Sequence, residues 1–150
     1  MGGDVIDHQY QWLRAPKVVI IDDHRLLRQG MRLILESRLG VAVVGEYCAI
    51  LAVDRTVETS PDAVIITVDS PNVESRLESV RQIRSALPDV RVIVLGEEPP
   101  DLELNRQAVD AGASGYLSME QDDVDTMLDI IVRTLDDSSY SKMDGSRLAS

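Results

Sequence analysis

Phenylalanine is absent from this 150-residue sequence, and aromatic residues of any kind make up only 3% of it. A core without large rings has to be assembled from Val, Ile, Leu, Ala and Met, which suits helices packed on a sheet of β-branched strands. The single cysteine, Cys48, excludes an internal disulfide and has no second thiol at metal-ligand spacing, which points to a reducing, cytoplasmic setting. Apolar runs are too short for a membrane span, and the opening "MGGDVIDHQYQWLRAP" lacks the basic and apolar blocks of a signal peptide. Positive charge is scarce: 15 Lys and Arg stand against 26 Asp and Glu, a formal net charge of −11. A surface that neutralises nucleic-acid phosphates needs clustered cations, and none are clustered here, so this chain is not expected to bind DNA by itself. The phosphate-cradling patterns G-x-x-x-x-G-K-[ST] and G-x-G-x-x-G are missing as well. No serine stands at nucleophile-elbow spacing, so nothing in the chain points to an enzyme.

What is present is alternation. Short apolar runs at 17–21 ("KVVII"), 41–45 ("VAVVG"), 63–68 ("AVIITV"), 90–95 ("VRVIVL") and 114–117 ("SGYL") are separated by segments of helical period. The first, third and fourth runs are apolar on both faces, as buried parallel strands are. Leu27, Met31 and Ile34 share one helical stripe, and Val124, Met127, Leu128, Ile131 and Leu135 another, leaving Ile130, Val132 and Thr134 outside it. Pro88 stops a helix, Pro99 and Pro100 open the next, and Gly112 sits where a helix end wants a left-handed residue. The pattern predicts an α/β fold, a flavodoxin-like (βα)5 three-layer sandwich with a parallel sheet in the order 2-1-3-4-5. Residues 1–16 read as an N-terminal leader outside the core, 17–135 as the domain, and 136–150, rich in Ser, Asp and Gly, as a linker or tail.

In such a sheet, function gathers beyond the carboxyl ends of the strands. Those ends carry Asp22 and Asp23, Thr67 and Asp69, Gly96, and Ser118 and Met119, with no cation turned toward the carboxylates. Asp22 and Asp23 offer oxygen ligands to a hard divalent ion such as Mg²⁺. On the competing reading Asp23 caps the helix starting near His24 and Asp22 is its solvated neighbour. Asp69 either lies exposed in a loop or crowds the pair into an acidic pocket of Asp22, Asp23 and Asp69.

The stretches "VVIIDDHRLLRQGMRLIL", "PDAVIITVDSP", "DVRVIVLG" and "AVDAGASGYL" together resemble the receiver domain of bacterial response regulators, and most closely the branch coupled to LuxR-type helix-turn-helix transcription factors. The resemblance covers about residues 17–135. It implies a phosphoacceptor aspartate four residues before a proline at the end of the third strand; counting back from Pro71 gives Thr67. The switch hydroxyl that it implies after the fourth strand falls on Gly96, and the phosphate-pairing lysine after the fifth on Met119. The acidic pair and the aromatic switch position, Tyr116, are retained.

An un-ionised alcohol needs a base to act as nucleophile, a methionine supplies neither charge nor donor, and a glycine has no hydroxyl to follow a phosphate. The expectation is therefore a non-enzymatic, phosphorylation-independent pseudo-receiver that requires no cofactor. It would regulate transcription by pairing as a homodimer, by pairing with another response regulator, or by binding a ligand or partner. DNA would be reached only through a C-terminal helix-turn-helix outside this sequence. Two alternatives stand beside it: a phosphorelay receiver using Asp69, about 6–7 Å along the strand from Thr67, as displaced acceptor, and a freestanding protein-binding module.

Overall fold

A computed structural model describes residues 12–69, 72–96, 102–120 and 123–136. Strands β1 (Lys17–Ile21), β2 (Ala42–Tyr47), β3 (Ala63–Val68), β4 (Arg91–Gly96) and β5 (Gly115–Ser118) alternate with helices α1 (Arg25–Ile34), α2 (Ala49–Thr59), α3 (Val73–Ala86), α4 (Leu102–Ala111) and α5 (Val124–Leu135). All strand pairs are parallel, in the order β2-β1-β3-β4-β5. This is the flavodoxin-like order that the sequence predicts, and no described helix is long and apolar enough to cross a membrane.

The strands form where β-branched residues run together, and their two-residue period divides the core. Val18, Ile20, Ile65, Ile93, Leu95 and Leu117 pack on one side with α5, while Val19, Ile21, Val64, Ile66, Val92 and Val94 pack on the other with α3. Every residue of β3 is buried, as befits the middle of the sheet. Burying side chains such as Ile20, Leu77 and Ile83 contributes about 1.5–3 kcal/mol each relative to leaving them in water.

Helix ends follow local chemistry. Asp123 caps α5, its Oδ1 accepting from the Thr126 N–H at 2.8 Å. That backbone bond holds the Asp123 carboxyl below the usual carboxylate range. Gly112 ends α4 with φ +114°, the left-handed conformation expected there. The expectation for Pro99 and Pro100 lies outside the described residues, as does all of the expected 136–150 tail beyond Asp136.

Three expectations are corrected. No residue of α1 is buried: Leu27 and Met31 are half-buried and Ile34 is exposed. The anchors are Leu35 and Leu39, on a π-helical continuation (Leu35–Leu39) closed by Gly40 with φ +73°. The buried stripe of α5 is Leu128, Ile131, Val132 and Leu135, an i, i+3, i+4, i+7 set. Val132 therefore belongs to the core, Ile130 packs against it, and Val124 instead faces a groove between α1 and α5. Trp12, in the expected leader, packs on the core and donates its indole N–H to the Leu39 carbonyl at 2.8 Å. An indole satisfied in this way joins the packing rather than standing outside it.

Candidate functional site

The carboxyl ends of β1 and β3 lie side by side, with Ile21 opposite Ile66 in register. One step further along both strands brings Asp22 beside Thr67. By strand parity both belong with Ile20 and Ile65, whereas Asp23 turns to the face that carries α2 and α3.

Asp22 is only 1% exposed. Its Oδ2 accepts from the Thr67 hydroxyl at 2.5 Å, and its Oδ1 accepts from the His24 backbone N–H at 2.5 Å and lies 2.8 Å from His24 Nδ1. A buried carboxylate needs this many partners, since each unmet lone pair inside a protein is costly. Thr67 is itself buried and also lies 3.4 Å from the Ile21 carbonyl.

Asp23 is 47% exposed. Its Oδ1 accepts from the Ala49 N–H at 2.8 Å, satisfying an otherwise orphaned donor in the first turn of α2, and its Oδ2 meets the Arg76 guanidinium at 2.6 Å. The capping expectation is thus reversed. Asp22, not Asp23, accepts from His24 at the start of α1, and Asp23 serves α2, because the alternation of β1 sends the two side chains to opposite faces.

The expected lack of a cation facing the acids is also corrected. Arg76, 12% exposed, reaches Asp23 from the first turn of α3, and Arg28 donates to the Asp22 backbone carbonyl at 2.5 Å. Arg76 was legible in principle: it shares a helical face with Val73, Leu77 and Val80, so its stem runs along the sheet-facing stripe.

Asp69 does not join the pair. Strand β3 stops at Val68, and Asp69 turns toward the opening of α3, its carbonyl accepting from the Asn72 N–H at 2.6 Å and its Oδ1 from Asn72 Nδ2 at 3.4 Å. Among the described residues no three Asp, Glu, His or Cys side chains are grouped to hold a metal ion. The donor set of Asp22 and Asp23 does not fit Mg²⁺ as it stands, because all four carboxylate oxygens already have partners and one partner is a guanidinium.

At the ends of β4 and β5, Val94 pairs with Tyr116 and Gly96 with Ser118, so Tyr116 is a diagonal neighbour of Gly96. A β-carbon added at Gly96 would lie 1.8 Å from the Tyr116 hydroxyl oxygen and 2.6 Å from Cζ. The phenol therefore fills the volume that a side chain at position 96 would need, with its ring packed on the α3 side of the sheet. Met119 packs on the opposite core cluster, and its N–H donates to the Gly96 carbonyl at 2.8 Å.

Comparison with known proteins agrees with this architecture. Over 102 residues the chain is 37% identical to the response regulator UvrY of Escherichia coli (strain K12), covering 67% of this chain and 46% of that protein. It is 33% identical to the response regulator GacA of Pseudomonas aeruginosa over 105 residues, 68% of this chain and 47% of GacA. The chain thus spans about half the length of these curated relatives. Among solved structures, a LuxR-family two-component response regulator from Aurantimonas sp. SI85-9A1 superposes with a TM-score of 0.68 at 28% identity, covering 81% of this chain and 86% of that one. The signal receiver domain of the putative response regulator NarL from Mycobacterium tuberculosis, at 23% identity and a TM-score of 0.65, shares the fold. The model of the response regulator receiver domain matches residues 18–131, and on that match, together with the strand order and the acidic pair beyond β1, the chain belongs to the receiver domain family of response regulators.

Proposed function

We propose that this receiver works without phosphorylation, as the regulatory part of a LuxR-type transcription regulator whose DNA-binding region lies outside the present sequence. The observation that carries the reading is the bond from Thr67 to Asp22: at the family's acceptor position stands a hydroxyl, and that hydroxyl is committed to the buried carboxylate beside it. An alcohol is activated by a base that withdraws its proton toward an incoming electrophile. Here the hydroxyl is largely buried and already donates to the Asp22 carboxylate, itself 1% exposed. Met119 offers no charge to a transferred phosphoryl group, and Tyr116 already occupies the room beside Gly96 that the family's switch hydroxyl would use. One conformation is then favoured permanently rather than selected by a phosphoryl group.

The output of such a domain is association with a second copy. Leu26 (83% exposed), Gly30 and Leu33 (70% exposed) follow one another about a helical turn apart on the exposed side of α1, with Leu26 and Gly30 lining the groove toward α5 and open space where a side chain at Gly30 would stand. Paired subunits match the two-fold DNA sites that dimeric regulators read. Sedimentation equilibrium of the whole chain is expected to show concentration-dependent dimers whose dissociation constant is the same with and without acetyl phosphate and Mg²⁺, and at least tenfold weaker (about 1.4 kcal/mol) in Leu33→Glu. Dimers that appear only with the phosphodonor contradict phosphorylation independence. A strictly monomeric parent chain removes the second copy from the proposal.

A further inference from the structure

We propose that Arg76 is the resident counter-cation of the acidic pair, so that the domain holds its strand-end loops together without a divalent ion and gains nothing from Mg²⁺. The inference goes beyond the question of phosphorylation, since it concerns what neutralises the pocket at rest. Two neighbouring carboxylates repel unless positive charge or hydrogen-bond donors offset them. Asp22 receives the Thr67 hydroxyl and the His24 N–H, with the His24 ring 2.8 Å from the same oxygen as that N–H. Asp23 receives the charge, from a guanidinium at 2.6 Å.

The guanidinium is suited to this place. It cannot lose its proton at any physiological pH, and its stem is held along α3 by the burial of Leu77 and Val80 next to it. Its charge is therefore always present and covalently tethered to α3, whereas a bound ion exchanges with solvent. Through Asp23 it also ties α3 to the first turn of α2, because the other oxygen of the same carboxylate accepts from Ala49. An incoming Mg²⁺ would need to take Asp23 from Arg76 and Asp22 from Thr67, while keeping most of its own water.

The test pairs thermal unfolding with direct binding of Mn²⁺, read by the loss of the free ion's electron paramagnetic resonance signal. No phosphodonor is present, so the outcome is independent of whether the domain is phosphorylated. In the wild-type chain, millimolar Mg²⁺ is expected to leave Tm unchanged and Mn²⁺ to remain free. Arg76→Met keeps the apolar stem and removes the charge; it is expected to melt lower, to bind Mn²⁺, and to regain about 4 °C of Tm in saturating Mg²⁺. Arg76→Lys keeps a cation and is expected to stay insensitive to Mg²⁺. Mn²⁺ binding by the wild-type chain, or a Tm rise with Mg²⁺ as large in the wild type as in Arg76→Met, overturns the proposal. If Arg76→Met does not fold, the wild-type and Arg76→Lys measurements decide alone: Mn²⁺ bound by either refutes it, and Mn²⁺ free in both supports it.

Discussion

Gly96→Thr is expected to destabilise the domain by about 1–3 kcal/mol, the range for forcing extra volume into a filled site. The new Cβ would stand 1.8 Å from the Tyr116 oxygen, a separation that no relaxation of the threonine itself can relieve, because the β-carbon is fixed by the backbone of β4. The ring has to leave, giving up its packing on the α3 side of the sheet. Urea unfolding measures the loss. The double-mutant cycle identifies its source: in a Tyr116→Ala background the same Gly96→Thr change is expected to cost little, so the two substitutions couple strongly. Additive effects would mean that Tyr116 does not depend on the glycine.

Thr67→Asp places a second carboxylate beside Asp22, at the position proposed above for the acceptor, and is expected to lose stability on the order of 3 kcal/mol at neutral pH, the scale of an uncompensated buried charge. The present hydroxyl lies 2.5 Å from Asp22 Oδ2 and 3.4 Å from the Ile21 carbonyl, so a carboxylate there would face two acceptors and no donor. The two acids would then share a proton, and the folded-state pKa of the pair would rise above its unfolded value. A raised pKa contributes stability that is fully present below the unfolded value, near about 4, and is lost as pH rises through the folded one. The gap between Thr67→Asp and the parent chain should therefore be smallest in acid and widen toward neutrality in urea titrations across that range. A variant as stable as the parent at neutral pH would show that Asp22 is not committed to Thr67.

Why one part of this site could be read from the chain and another could not is a matter of range. Strands β1, β3 and β4 announce themselves because a strand buried on both faces must be apolar throughout, and Val18–Ile21, Ala63–Ile66 and Val92–Leu95 are. That the acceptor, switch and lysine positions fall on Thr67, Gly96 and Met119 is an expectation reached by counting along the chain. The division of labour between Asp22 and Asp23 does not, because it depends on which face of β1 each continues and on what α2 and α3 place there. Arg76 is nine positions beyond Thr67, on the helix that follows β3; its place on the Val73–Leu77–Val80 face is legible, but its pairing with Asp23 depends on how α3 docks on the sheet. The fit of Tyr116 over Gly96 depends on the β4–β5 register, a relation between strands. On α5, Val132 and Val124 exchange the roles that periodicity assigns, since Val124 faces the groove toward α1 instead of a packed neighbour.

The central claim is that no side chain here accepts a phosphoryl group, and intact-mass spectrometry of the whole chain after incubation with acetyl phosphate and Mg²⁺ tests it most directly. The expected spectrum is that of the untreated chain, because Thr67 is held by Asp22 and Asp69 is turned to Asn72 at the start of α3. A labile adduct with the mass of one phosphoryl group, mapped to Asp69 after borohydride trapping, would contradict the account and make this an active phosphorelay receiver with a displaced acceptor.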